Sequence, residues 1–177
     1  MKTIIYITLF VAILSQEVSI QEKIYLNAKA NIDETAWAKD VDRQAKRNKE
    51  VFVTEGEWKC NLFVYEIILV SGYDIGTPNR ARWISHPILN IQGKNKRPPC
   101  CSDWYNLQVE GFTFIGEGEE GKNKCKKGDI VTNGVHIGII AGDGETISAA
   151  EEKVVKNDWG YRGDEGVLRY FRYDDNQ

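Results

Sequence analysis

Two side chains in this sequence could together break an acyl bond: a cysteine in the first turn of a helix and a histidine on a strand. Cys60 opens the stretch "CNLFVYEIILVSG", in which Phe63, Val64, Ile67 and Ile68 follow it at three, four, seven and eight residues. That spacing is one face of a helix. A cysteine at such a start meets unpaired backbone amides and the positive end of the helix dipole, which favour the thiolate and sharpen the sulfur as a nucleophile. His136 lies in "GVHIGIIAGDGETISAA", on a strand that runs into a Gly-Asp-Gly turn. The other histidine, His86 in "ISHPIL", stands before a proline with no evident partner, so His136 is the base if Cys-His chemistry operates. With a loop over Gly142–Gly144, Ala141 pairs with Glu145, and the ladder sets His136 opposite Ala150 with Ser148 diagonal on the same face. Nucleophile, base and a group that fixes the base's tautomer are the parts nucleophilic catalysis requires.

The elements that must hold these residues are legible to different degrees. Asn31–Lys49 carries acids early and bases late, matching a helix dipole, with Asp33 as its expected N-cap. The Cys60 helix should end near Gly72. From Tyr73 to Lys127 the chain is rich in Gly, Pro, Asn and Asp and reads as long irregular ground, a candidate wall for a binding site. Short β-branched runs then alternate with turns: Ile130 to Thr132, Val135 to Ala141, Thr146 to Ala149, Lys153 to Val155, and a last strand in "VLRYFRY". They predict an antiparallel meander, and helices followed by strands predict an α+β domain. No internal repeat is present.

Composition narrows the class. With 177 residues, 42% hydrophobic and 28% charged, the chain has material for one domain with a core. A net charge of -3 argues against binding nucleic acid through bulk electrostatics, and the local runs "GKNKRPP" and "GKNKCKK" read as solvated loops. Residues 1–19 hold a lysine, an apolar run from Ile4 to Leu14, and then small and polar residues, the layout of a secretory signal peptide. Residues 20–177 would then form the domain. No second apolar run is long enough to cross a membrane. In an oxidising compartment Cys100, Cys101 and Cys125 read first as structural; since adjacent cysteines bridge with strain, the simplest scheme joins Cys100 or Cys101 to Cys125. Their spacing does not suit a zinc site.

Taken in order, "KCNLFVYEIILVSG", "KGDIV", "VHIGIIAGDG" and "TISAA" resemble the NlpC/P60 and CHAP group of cysteine peptidases and amidases, papain-like enzymes that cut peptide bonds in bacterial peptidoglycan. The resemblance covers roughly Trp58 to Asn157 in scattered blocks. It implies a papain-like α+β domain, with N-terminal helices packed on an antiparallel meander and the catalytic cysteine at a helix start. Cys60 would be the nucleophile, His136 the general base, and the Cys60 backbone amide part of the oxyanion site. Ser148 occupies the third position, where NlpC/P60 enzymes carry histidine, asparagine or glutamine; Asn157, similar to the asparagine of CHAP enzymes, is the alternative. Outside the family pattern, Trp104 and Tyr105 in "RPPCCSDWYN" could line a substrate cleft or pin their loop to the body. Asp129 in "GDIV" reads as a turn residue.

The function these features imply is a secreted cysteine hydrolase, extracellular or, in a bacterium, periplasmic or wall-associated. It would act as a monomer on peptidoglycan or its peptide fragments, without metal or organic cofactor and without membrane insertion after loss of the leader. A binding protein on the same scaffold, a disulfide-stapled effector with Cys60 blocked, and a transferase to an amine or lipid are the competing readings.

Overall fold

A computed structural model describes residues 17–47, 51–53, 55–76, 97–107, 109–162 and 166–174. The candidate leader, apart from residues 17–19, and His86 lie outside them. The first element is helix α1 (Ile20–Lys29), whose start is capped by Ser19: its Oγ accepts the Glu22 N–H at 3.1 Å. A ribbon of two antiparallel strands, β1 (Arg43–Gln44) and β2 (Phe52–Val53), precedes helix α2 (Cys60–Val70). There follow helix α3 (Cys101–Tyr105), β3 (Phe112–Glu117), helix α4 (Gly118–Lys124), β4 (Ile130–Thr132), β5 (Ile137–Gly142), β6 (Glu145–Ala149), β7 (Val154–Asn157), a 3-10 turn (Trp159–Tyr161) and β8 (Arg169–Tyr173).

The described strands β3 to β8 form one antiparallel sheet in the order β3-β8-β4-β5-β6-β7. The protein is therefore α+β, and the expected meander is β4 to β7, with β8 returning between β3 and β4. Ile24 and Ala28 of α1 and Leu62, Phe63 and Ile67 of α2 share a core with Ile137, Ile139, Ile147 and Ala149 of the sheet. Behind the sheet, Val131, Ile140, Trp159, Leu168 and Tyr170 make a second cluster. Because both faces are covered, β5 reads as Ile-Gly-Ile-Ile and not as an alternation of apolar and polar residues.

The helix expected over Asn31–Lys49 does not form over the described residues 31–47. The Asp33 and Lys39 amides donate to the Val154 and Glu151 carbonyls at 2.9 and 2.7 Å, so they are withdrawn from any helical ladder, and Asp33 is left-handed (φ 69°) instead of capping. A buried carboxylate draws the segment in: Glu66 of α2 accepts the Trp37 indole N–H at 2.6 Å, Arg43 Nε at 2.9 Å and the Lys46 amide at 2.8 Å. Part of the stretch expected to be irregular, residues 77–96, lies outside the described residues; the described remainder up to Lys127 contains α3, β3 and α4 and is more ordered than its composition suggests.

Asp129 is more than a turn residue. It is fully buried, accepts the Lys126 amide at 2.7 Å and Arg172 Nε and Nη2 at 3.0 and 2.7 Å, and is also bonded by Gln21. This carboxylate ties α1, the entry to β4 and strand β8 together. Removing one partner of such a pair leaves the other charge uncompensated. Asp129→Ala should therefore lower the unfolding free energy by about 3–5 kcal/mol, read as a lower urea midpoint with unchanged slope; an unshifted midpoint would contradict this role.

Candidate active site

Cys60 is the first residue of α2, which has no side-chain cap and no acidic residue in its first turn, so nothing there neutralises the positive helix end. Its side chain is buried, 3% exposed. The preceding Lys59 is buried too, and its Nζ donates to the Lys39 and Glu57 carbonyls, each at 3.1 Å. Burial pulls the Lys59 pKa down, against the pull of Asp42 and Asp40. An acidic cleft of about 650 Å³, lined by Lys39, Asp40, Glu55, Glu151 and Glu152 among others, opens beside this approach; neither Cys60 nor His136 lines it.

His136 sits just before β5, on a turn that the sequence builds tightly. Asn133 Oδ1 accepts the amides of Val135 and His136 at 3.0 and 2.8 Å, and Thr132 Oγ1 donates to the His136 carbonyl at 2.7 Å. His136 Nε2 lies 3.1 Å from Ser148 Oγ. The imidazole also interacts with the Cys60 sulfur. Cys60, His136 and Ser148 are thus brought together.

Asn157 is not in this chain of contacts. It pairs across the sheet with Thr146, and its Oδ1 accepts the Trp159 amide at 3.0 Å. Trp159 then presents its ring edgewise to His136, centroids 4.5 Å apart at 88°. Among the described residues, Asn157 is linked to the histidine through that tryptophan.

Of the two readings of the aromatic pair in this loop, the structure favours pinning the loop to the body. Trp104 is 1% exposed and packs edgewise against Phe112 and Phe171 at 4.9 and 5.7 Å, so it cannot line a cleft. Tyr105 is half-buried beneath the turn at Gly134, with the Arg169 guanidinium 4.2 Å over its ring. Both residues anchor α3. The bridge from Cys100 or Cys101 to Cys125 is corrected, since all four cysteines are thiols. Cys125 lies 3.3 Å from the Tyr161 hydroxyl and Cys100 2.9 Å from Ser102 Oγ, while Cys101 faces Cys60 with the sulfurs 3.8 Å apart.

That neighbour changes the electrostatics. Hydrogen bonding from the Cys101 thiol is the largest influence holding the Cys60 pKa well below the ordinary thiol value, with His136 and the Ile137 amide acting in the same direction against burial. Cys101 is pushed far up, because it donates to Cys60 and is itself buried.

Two positioning residues escape motif reading. Asn133 could have been found from the Asn-Gly turn signal that it begins. Gly138 could not, because its reason is purely spatial: a Cβ there would come within 2.6 Å of Thr146 Cγ2 and 3.2 Å of Ser148 Cβ.

Among the described residues no group of His, Cys, Asp or Glu side chains could hold a metal ion, and no helix is long and apolar enough to cross a membrane. Compared with protein-family models, with curated proteins and with solved structures, the chain matches none.

Alkylation of Cys60 by iodoacetamide should rise with pH through an inflection well below the ordinary thiol value of 9.0. In Cys101→Ala the inflection should move upward, because a donor to the thiolate has gone. Mass spectrometry of the Cys60 peptide across a pH series reads both, and coincident curves would remove Cys101 from the ionisation.

Proposed function

We propose that this protein is a secreted cysteine hydrolase of the NlpC/P60 and CHAP type, with a papain-like arrangement, cleaving amide bonds in the peptides of bacterial peptidoglycan. The observation that carries the reading is the contact chain from Cys60 through His136 to Ser148, with the sulfur at an uncapped helix start and His136 Nε2 3.1 Å from Ser148 Oγ. Its substrate class rests on the motif resemblance, and its export on the leader-like composition of residues 1–19.

The chemistry follows from the residues. The Cys60 thiolate attacks the amide carbonyl carbon, and the developing oxyanion is met by the Cys60 backbone N–H at the start of α2. His136, having taken the proton of the Cys60 thiol, gives it to the leaving amine, and a thioester on Cys60 remains. A water that surrenders its proton to His136 then attacks the thioester carbonyl. The carboxylic acid leaves and the thiolate is restored. Ser148 keeps the imidazole plane aligned during both transfers, and Trp159 closes its other side. The protein acts as a monomer and needs no cofactor for these steps.

Purified peptidoglycan from several bacterial types, incubated with the wild type, should release new fragments whose termini identify the bond cut. Cys60→Ala should release none while keeping the fold. Fragments from both would end the mechanism, and fragments from neither would favour a binding protein on this scaffold. Ser148→Ala, which loses one orienting hydrogen bond of about 1–1.5 kcal/mol, should cost about tenfold in kcat. Asn157→Ala, acting through Trp159, should cost less; a larger loss than for Ser148→Ala would make Asn157 the third member.

A further inference from the structure

Cys101 takes no part in the acyl-transfer steps, yet its sulfur is the one set against the nucleophile, at 3.8 Å. Both thiols stand on fixed helix starts. Cys60 begins α2, and Cys101 begins α3, where the Cys100 amide donates to Asp103 Oδ2 at 2.7 Å and Trp104 is locked among Phe112 and Phe171. Both are nearly closed off, 3% and 8% exposed. A disulfide needs the sulfurs about 2.05 Å apart, so side-chain rotation has to supply about 1.8 Å of approach. Cys100 and Cys125 are engaged elsewhere, with Ser102 and Tyr161.

We propose that Cys60 and Cys101 form an oxidative modification site, closing to a reversible disulfide when a peroxide reaches them and so withdrawing the nucleophile. The Cys60 thiolate attacks one oxygen of hydrogen peroxide, breaking the O–O bond. The sulfur is oxidised to a sulfenic acid, and the other oxygen leaves as water once protonated. The Cys101 sulfur then attacks the Cys60 sulfur, forming S–S and breaking S–O; the second water departs with the Cys101 proton. Two thiols and one peroxide become one disulfide and two waters. A dithiol reductant reverses the state by exchange, returning both thiols and leaving as its own disulfide. The depressed Cys60 pKa supplies the attacking thiolate, and the buried partner intercepts the sulfenic acid before a second peroxide oxidises it further.

The loss of hydrolysis rests on Cys60 being the nucleophile of the proposed function; the disulfide itself does not. The full chain is treated with hydrogen peroxide, alkylated, digested without reduction and mapped by mass spectrometry, with fragment release from peptidoglycan measured in parallel. The expected result is a Cys60–Cys101 linked peptide and at least a tenfold fall in fragment release that dithiothreitol restores. In Cys101→Ser, peroxide should leave no linked peptide and should drive Cys60 to a sulfinic acid that dithiothreitol does not rescue. Cys125→Ala should respond as the wild type does. Wild-type Cys60 recovered as a sulfinic acid, or linked to Cys100 or Cys125, would overturn the proposal. A Cys60–Cys101 link in a chain that released no fragments before oxidation would uphold the pair and overturn the hydrolase.

Discussion

An ionised sulfur inside a protein is tolerable only where donors converge on it, and this requirement organises the region around Cys60. Burial alone would push a thiol toward its neutral form. Here the Cys101 thiol, the His136 imidazole and the Ile137 amide all favour the thiolate, and the uncapped start of α2 adds the field of the helix. These groups come from α3, from the turn before β5, and from β5 itself. The thiolate is thus favoured only in the assembled fold, because α3 and the start of β5 bring these donors to α2 from distant parts of the chain.

Three anchors make that convergence possible. Glu66, six residues along α2 from Cys60, gathers Trp37, Arg43 and the Lys46 amide, so the irregular segment before α2 is bound to the helix that carries the nucleophile. Asp129 joins Arg172 and Gln21 at the entrance to β4 and so fixes the strand from which the His136 turn departs. Trp104 holds α3 in the aromatic cluster with Phe112 and Phe171, keeping Cys101 at the sulfur. Two of these are buried carboxylates, costly when partnerless. Polar groups here specify which irregular segment docks where, a task that apolar burial performs with little directionality.

Legibility tracked the range of the forces involved. The Cys60 helix, the meander and the shared face of His136 and Ser148 were readable because apolar period and turn residues act within a few positions. Helix α1 is equally local, for Ser19 followed by Glu22 is a capping signature, but its place against the leader-like run masks that signal. Asn31–Lys49 misled because its charges suit a helix dipole, worth tenths of a kcal/mol to about 1 kcal/mol per charge, whereas Trp37 and Arg43 answer to a buried carboxylate more than twenty residues away. The Cys101 contact was out of reach for the same reason: adjacent cysteines in a Pro-rich run suggest a bridge, and only the packing of Trp104 shows which sulfur they meet.

The hairpin between β5 and β6 reaches the expected register by a different route, and the difference matters for Ser148. The turn is Asp143–Gly144, both with positive φ (55° and 78°), the two-residue loop whose twist suits a hairpin, so Gly142 pairs with Glu145. Continued without interruption, that pairing would set Ser148 opposite Ile139, facing the helices and away from His136. Instead a bulge between Ile140 and Gly142 absorbs Ala141, and beyond it Ile139 pairs with Ile147. Extended by one step, this register puts Gly138 opposite Ser148, and by three it puts Ala150 opposite His136. Since a one-residue slip exchanges the faces of a strand, the single extra residue decides whether Ser148 meets the imidazole or the core. Gly138, between them with no side chain, keeps the space on that face open. The histidine's hydrogen bond to Ser148 is therefore a product of strand register, fixed by one bulged alanine and one glycine.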